Sequence, residues 1–276
     1  MKFAVLGDPI DHSQSPAIHA AAYLELGLDW SYDRHRVNAD ELSDFLGSHL
    51  ADYSGFSLTM PLKERLFAIA TELGWQIDAA SQALGCANTI YRVDGKLAIA
   101  NTDVAGAAAA VRPVAGSIES VAVLGSGATA RSISYALAQS IEGLSELVVF
   151  SRRNEPAEAI FSLLSEARPG LKTSWLPLEA AADFGGADLT VNTIPASTGA
   201  ELEVDQKFGR SWVFDVSYHP WPTPFAANWP ETDRIGGLEM LVQQAIGQLS
   251  LFGAIERDPE PEMVERLASA MKAAAA

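Results

Sequence analysis

The sequence predicts an α/β protein of two domains, the second built on a doubly wound parallel sheet. Three observations carry that prediction. The chain has 276 residues, long for one domain and comfortable for two. The stretch Val121-Ala122-Val123-Leu124-Gly125-Ser126-Gly127-Ala128-Thr129-Ala130-Arg131 reads as a buried strand, a glycine-rich turn and the first turn of a helix. From residue 119 to 234, strands then alternate with helices, the rhythm of βαβ units on a parallel sheet.

In the N-terminal part, residues 2–6 read as a strand, followed by the polar loop Gly7-Asp8-Pro9-Ile10-Asp11-His12-Ser13-Gln14-Ser15-Pro16. Pro16 suits the start of a helix over residues 16–27, with Ser15 as its N-cap. Residues 30–37 alternate as a second strand, 39–50 form an amphipathic helix, and 54–60 a third strand ending at Pro61. Lys63 lies in the first turn of the next helix, where the helix dipole opposes a cation, and helices cover 63–73 and 77–84. A hairpin follows, with strands at 89–93 and 96–100 around Asp94-Gly95. Asn101-Thr102-Asp103 then precedes an alanine-rich helix over 104–111, for which Asp103 reads as an N-cap on position alone. Residues 112–117 break that helix and mark a linker.

In the second part, strands are expected at 120–124, 147–151, 173–176, 189–192 and 212–215. Helices are expected at 128–139, 156–166 and around 224–228, and two long ones at 238–252 and 259–272 close the chain.

The charge balance, 19 basic against 35 acidic side chains and net −16, argues against a nucleic-acid binder or a protein that docks on anionic membranes. An anionic ligand must therefore be held by local positive groups. Cys86 is the single cysteine, so no intrachain disulfide forms and a reducing cytoplasm fits. The first apolar run stops at Asp8, too short for a signal-peptide core, and no apolar stretch reaches membrane-spanning length. A cytoplasmic protein is expected, with no metal ligand set.

Gly125-x-Gly127-x-x-Ala130 fits the dinucleotide fingerprint of a Rossmann fold. Gly125 permits the tight turn, Gly127 lets backbone approach a diphosphate, and Ala130 lets helix and strand pack closely. The diphosphate would sit over free N–H groups at the helix N-terminus. The next strand of such a fold ends beside the adenosine ribose, where an acid selects NAD and an arginine accommodates the 2′-phosphate of NADP. Here it ends Ser151-Arg152-Arg153-Asn154, and the first acid, Glu155, lies beyond both arginines. NADP is favoured, against the alternative that the arginines form surface ion pairs.

Taken together, these loops resemble the shikimate dehydrogenase family from Gly7 to Gly253. Gly7 to Pro16 matches its G-x-P-I-x-H-S-x-S-P loop, and Ser57-Leu58-Thr59-Met60-Pro61-Leu62-Lys63 its N-V-T-x-P-x-K. Gly85-Cys86-Ala87-Asn88-Thr89 matches G-A-V-N-T, and Asn101-Thr102-Asp103-Val104 matches N-T-D-G. Further on, Gly125-Ser126-Gly127-Ala128-Thr129 stands for G-A-G-G-A and Ser151-Arg152-Arg153 for N-R-T. Asp215-Val216-Ser217-Tyr218-His219-Pro220 matches D-x-x-Y-x-P, and Gly237 to Gln244 matches G-x-x-M-L-x-x-Q. Departures stand at Ser57, Val104, Asn192-Thr193-Ile194-Pro195 and Leu251-Phe252-Gly253.

The resemblance implies a substrate domain at 1–103 and 237–276, whose C-terminal helices pack back onto it, and a Rossmann NADP domain at 104–236. It implies reversible reduction of 3-dehydroshikimate to shikimate with NADPH, in aromatic amino-acid and chorismate biosynthesis. Lys63 and Asp103 become the catalytic pair, and Ser13, Ser15, Thr59, Asn88, Tyr218 and Gln244 the substrate ligands. The cofactor falls to Gly125, Ser126, Gly127, Ala128, Thr129, Ala130, Ser151, Arg152, Arg153, Val216 and Gly237. The partners are small molecules, and the assembly is a monomer or homodimer. Two alternatives stand beside this reading: a quinate/shikimate dehydrogenase preferring NAD, and an NADP-sensing binding protein without chemistry.

Overall fold

A computed structural model describes residues 1–184, 186–194 and 212–275. It divides into two compact units, one comprising Met1–Gly106 with Leu241–Ala276 and the other Ala107–Met240.

The first unit is built on a six-stranded mixed sheet. Its strands are β1 (Lys2–Gly7), β2 (Ser31–Arg36), β3 (Gly55–Leu58), β4 (Gln76–Ile77), β5 (Thr89–Val93) and β6 (Lys96–Ala100), in the order β2-β1-β3-β5-β6-β4. β1 pairs in parallel with β2 and β3, whereas the hairpin β5–β6 enters antiparallel to β3. Helices α1 (Ser15–Glu25), α2 (Leu42–His49), α3 (Lys63–Glu72) and α4 (Ala79–Leu84) join these strands. Leu6, Phe56, Leu58, Leu66, Ile90 and Ile99 meet in one core cluster. Burying each such side chain contributes about 1.5–3 kcal/mol.

The consequence for function is topological. β1, β3 and β6 end on the edge of the sheet where antiparallel β5 begins, as the bonds Leu58 N–H to Asn88 O (2.7 Å) and Asn88 N–H to Ala100 O (3.0 Å) show. The loops carrying Ser13, Thr59, Asn88 and Asp103 thus share that edge. Binding residues gather at the carboxyl ends of strands for this reason.

α5 (Asp103–Val111) leads into the second unit, whose six strands all run parallel. These are β7 (Ser120–Leu124), β8 (Glu146–Ser151), β9 (Lys172–Pro177), β10 (Leu189–Asn192), β11 (Trp212–Asp215) and β12 (Arg234–Gly236). Their order, β12-β11-β10-β7-β8-β9, is that of the dinucleotide-binding Rossmann sheet. α6 (Ala128–Ser140) and α7 (Glu155–Ala167) are its long helices. Val121, Ala122 and Val123 on β7 and Leu147, Val148 and Val149 on β8 are all buried, as strands covered on both faces require.

α8 (Gly237–Leu251) and α9 (Pro261–Ala274) complete the chain. α9 packs on α1, where Arg266 Nε meets Glu25 Oε1 at 2.7 Å, and Phe252 stacks on Phe3 at 4.3 Å between ring centroids. The expected return of the C-terminal helices to the first domain is borne out. No helix among the described residues is long and apolar enough to cross a membrane.

Four local expectations need correction. Ser15 is the first residue of α1 rather than its cap: Gln14 holds the N-cap position without a side-chain bond, and Ser13 Oγ accepts the Ser15 N–H at 3.3 Å. Asp103 does not cap α5, because its carboxylate is engaged by Lys63 and Asn88. Ile77 lies in the short strand β4, and Asp78 caps α4 by accepting from Ser81 N–H at 2.8 Å. Around residues 224–228 only Ala226–Asn228 winds, as a 3₁₀ turn seeded by Thr223 Oγ1 accepting the Ala226 N–H at 3.0 Å. Pro195, one of the departures from the family pattern, lies outside the described residues.

Candidate active site

Lys63, the first residue of α3, donates from Nζ to Asp103 Oδ2 at 2.5 Å, and their side chains are only 11% and 7% exposed. Asn88 Nδ2 donates to the other Asp103 oxygen at 2.9 Å and lies 3.0 Å from Thr102 Oγ1. Asn88 Oδ1 in turn accepts the Thr102 N–H at 2.9 Å and the Thr89 hydroxyl at 2.8 Å. Gln244 reaches the same cluster from α8, with Oε1 3.3 Å from the Thr102 hydroxyl and 3.5 Å from Asn88 Nδ2. Asp103 is thereby held on both oxygens, by a cation and by an amide. A carboxylate fixed in this way fixes the ammonium that it faces.

Four of the expected residues, Lys63, Asn88, Asp103 and Gln244, therefore form one hydrogen-bonded cluster. Thr59 follows β3 and abuts Gly7 at the end of β1: a Cβ on Gly7 would stand 2.5 Å from Thr59 Cγ2 and 3.0 Å from Met60 O. Ser13 lies in the loop after β1, and Ser15 opens α1 at the end of that loop. Arg36 Nε holds that loop at Asp8 Oδ1 (2.7 Å), and Arg34 holds it at the Asp11 carbonyl.

Residues behind this cluster carry no assignment from the motifs. Thr102 and Thr89 were motif letters without a role, yet they orient the Asn88 amide. Asn101 Oδ1 accepts the Asp103 N–H at 3.1 Å and so sets the start of α5. Gln248, one turn beyond Gln244 on α8, is 1% exposed and donates to Thr89 Oγ1 at 3.1 Å. The available signal was a pair of glutamines at i and i+4 on one helix face. Ser57, which replaces an asparagine of the family motif, is buried with its hydroxyl against that of Tyr32. Beneath it His19 stacks on Tyr32 and donates Nδ1–H to the Ser15 carbonyl at 2.9 Å, and burial pushes its imidazole down to about 4.

In the second unit Gly125 has φ +107°, a conformation that strains any residue with a Cβ, and that Cβ would run into Thr193 Oγ1. Gly127 precedes α6, and a Cβ built on it meets nothing within 4 Å. The helix α6 begins after an N-cap, Gly127, that brings no side chain to its first turn. Its N–H groups and the open space above Gly127 form a cradle that fits a diphosphate. At the end of β8, Arg152 and Arg153 are exposed and in no ion pair among the described residues.

After β11, Asp215 is fully buried and accepts from Thr223 Oγ1 (2.6 Å), Asn192 Nδ2 (3.1 Å) and Ser217 N–H (3.0 Å). This knot shapes the turn that carries Val216 and Tyr218. Gly237 lies directly against Val216, whose carbonyl leaves no room for a Cβ. The two residues assigned to the nicotinamide side are therefore neighbours.

Comparison with known proteins agrees with this geometry. Residues 5–90 match the shikimate dehydrogenase substrate-binding domain. A shikimate dehydrogenase (NADP⁺) of Nitrosopumilus maritimus is 30% identical over 266 residues, covering 92% of this chain and 93% of its own. The crystal structure of Mycobacterium tuberculosis shikimate dehydrogenase is 32% identical, covers 99% of each chain and superposes with a TM-score of 0.82. The chain belongs to the shikimate dehydrogenase family. A further family structure, from Thermus thermophilus in complex with NADP(H) and shikimate, is 29% identical with a TM-score of 0.78, covering 98% of this chain and 99% of that one.

Proposed function

We propose that this chain is an NADP-dependent shikimate dehydrogenase, interconverting 3-dehydroshikimate and shikimate, with Lys63 and Asp103 as its acid–base pair. The observation that carries the reading is the buried Lys63–Asp103 contact, braced by Asn88, in a member of that family. Residues 1–106 and 241–275 would take the substrate, and residues 107–240 the cofactor. The single cysteine and the nicotinamide chemistry fit a cytoplasmic enzyme.

The donor set fits NADP: the N-terminus of α6, the open face of Gly127 and the exposed Arg152–Arg153 pair. When bound, the cofactor supplies a hydride to the ketone carbon in reduction and accepts it in oxidation. The chain's own residues manage the proton. In reduction, Lys63 donates a proton from Nζ to the ketone oxygen as negative charge develops there. In oxidation, the neutral Nζ amine takes the proton from the hydroxyl and becomes the ammonium. Asp103 keeps the ammonium aimed and compensates its charge, and Asn88 keeps Asp103 from rotating away.

Ser13 and Ser15 hold the substrate carboxylate with neutral hydroxyls, Thr59, Asn88, Tyr218 and Gln244 its remaining polar groups. Shikimate with NADP⁺, followed at the nicotinamide absorbance band, tests the activity directly. Parallel runs with NAD⁺ and with quinate separate it from an NAD-preferring quinate enzyme, and absence of turnover would leave only a binding protein.

A further inference from the structure

The two arginines at the end of β8 are exposed, and exposed arginines read a phosphate well only if their backbone is held still. The structure holds it from the adjacent strand. Ser151 closes β8 with its side chain buried, and its Oγ donates to the Arg153 carbonyl at 2.6 Å. The same Oγ accepts the indole N–H of Trp175 at 3.0 Å. Trp175 stands on β9 opposite Val149, two residues before Ser151 on β8, so its ring leans along the sheet to reach the strand end. A serine hydroxyl has one proton to give, and here Arg153 O receives it. Ser151 thus has no proton left for a cofactor phosphate. It acts on the loop rather than on the ligand.

We infer that Trp175 is a positioning residue for cofactor choice. Through Ser151 it latches the Arg152–Arg153 backbone in the shape that receives a phosphate on the adenosine 2′-oxygen. The latch uses two directional bonds: an indole that only donates, and a hydroxyl that accepts from it while donating onward. It joins the edge strand β9 to a turn that carries two exposed cations and no ion pair among the described residues. Both arginines are then poised for an incoming anion, and the preference for a 2′-phosphate gains a structural origin behind the residues that touch it. The inference rests on reading these arginines as 2′-phosphate ligands.

The test is calorimetric titration of the full chain with 2′,5′-ADP and with 5′-ADP, fragments that engage the adenosine end without chemistry. Wild type should prefer 2′,5′-ADP. W175F, which keeps the ring bulk but removes the donor, and S151A, which breaks the latch at its centre, should each weaken 2′,5′-ADP about three- to tenfold and leave 5′-ADP within about twofold. Thermal melting confirms that the variants compared are folded. Equal weakening of both nucleotides, or no change in either, would overturn the latch while leaving the arginines as ligands. A wild type that does not distinguish the two fragments would instead remove the 2′-phosphate reading, and the latch with it.

Discussion

Lys63 Nζ and Asp103 Oδ2 lie 2.5 Å apart in side chains almost closed to solvent. The partners come from positions forty residues apart in the chain, at the start of α3 and the start of α5. A contact this short and dry is directional, and each partner left alone would be a poorly solvated charge.

Asp103→Asn keeps the shape of the site but removes the charge that faces Lys63. The variant should fold and lose about a hundredfold or more in kcat for shikimate oxidation. Steady-state kinetics on the folded variant checks this, and a kcat within a factor of about three of wild type would mean that Asp103 does not support the lysine.

The serine loop should act on binding rather than on chemistry. Ser13→Ala removes a hydroxyl assigned to the substrate carboxylate, and KM for shikimate should rise about tenfold with kcat little changed. An unchanged KM contradicts the assignment.

Two glycines of the cofactor loop should separate stability from binding. Gly125→Ala forces a Cβ into Thr193 at φ +107° and should cost more than about 1 kcal/mol, read as a lower Tm. Gly127 sits at φ −78° with nothing near its missing Cβ, so Gly127→Ala should melt close to wild type but bind NADP⁺ more weakly. Equal melting temperatures for the two variants would count against this division.

Burial holds His19 neutral down to about pH 4, against an ordinary value of 6.5. Between those values the unfolded chain binds the proton and the folded one does not. This contribution is therefore fully present above pH 6.5 and is lost as pH falls toward 4, by about 3 kcal/mol in all. Urea unfolding of His19→Gln across that range should show a shallower acid loss than wild type. Parallel curves would show that His19 is not the group responsible.

Most of the site was legible because its chemistry sits in short loops with fixed spacing. Gly125, Gly127 and Ala130 announced the second unit, and Lys63 and Asp103 were recognisable once four loops fell on strand ends. What escaped has physical causes. Gln76–Ile77 is a strand of two residues, too short to show alternation, and exists only because β6 accepts it as an edge. Arg234–Gly236 carries a single apolar residue and is defined by its neighbour β11. Ser15 and Asp103 both read as helix caps, since a cap and a functional ligand call for the same small polar side chain at the same place. Gln248 and Trp175 act through another residue, and a through-residue role leaves no motif.

The role of Lys63 is read from the turnover of Lys63→Ala with shikimate and NADP⁺, at saturating concentrations of both. Proton transfer by a positioned side chain contributes about a hundred- to ten-thousandfold. With Lys63 as the proton donor and acceptor, kcat falls by that order and KM for shikimate changes far less. A variant that turns over within about tenfold of wild type would show that Lys63 is not the main catalytic group.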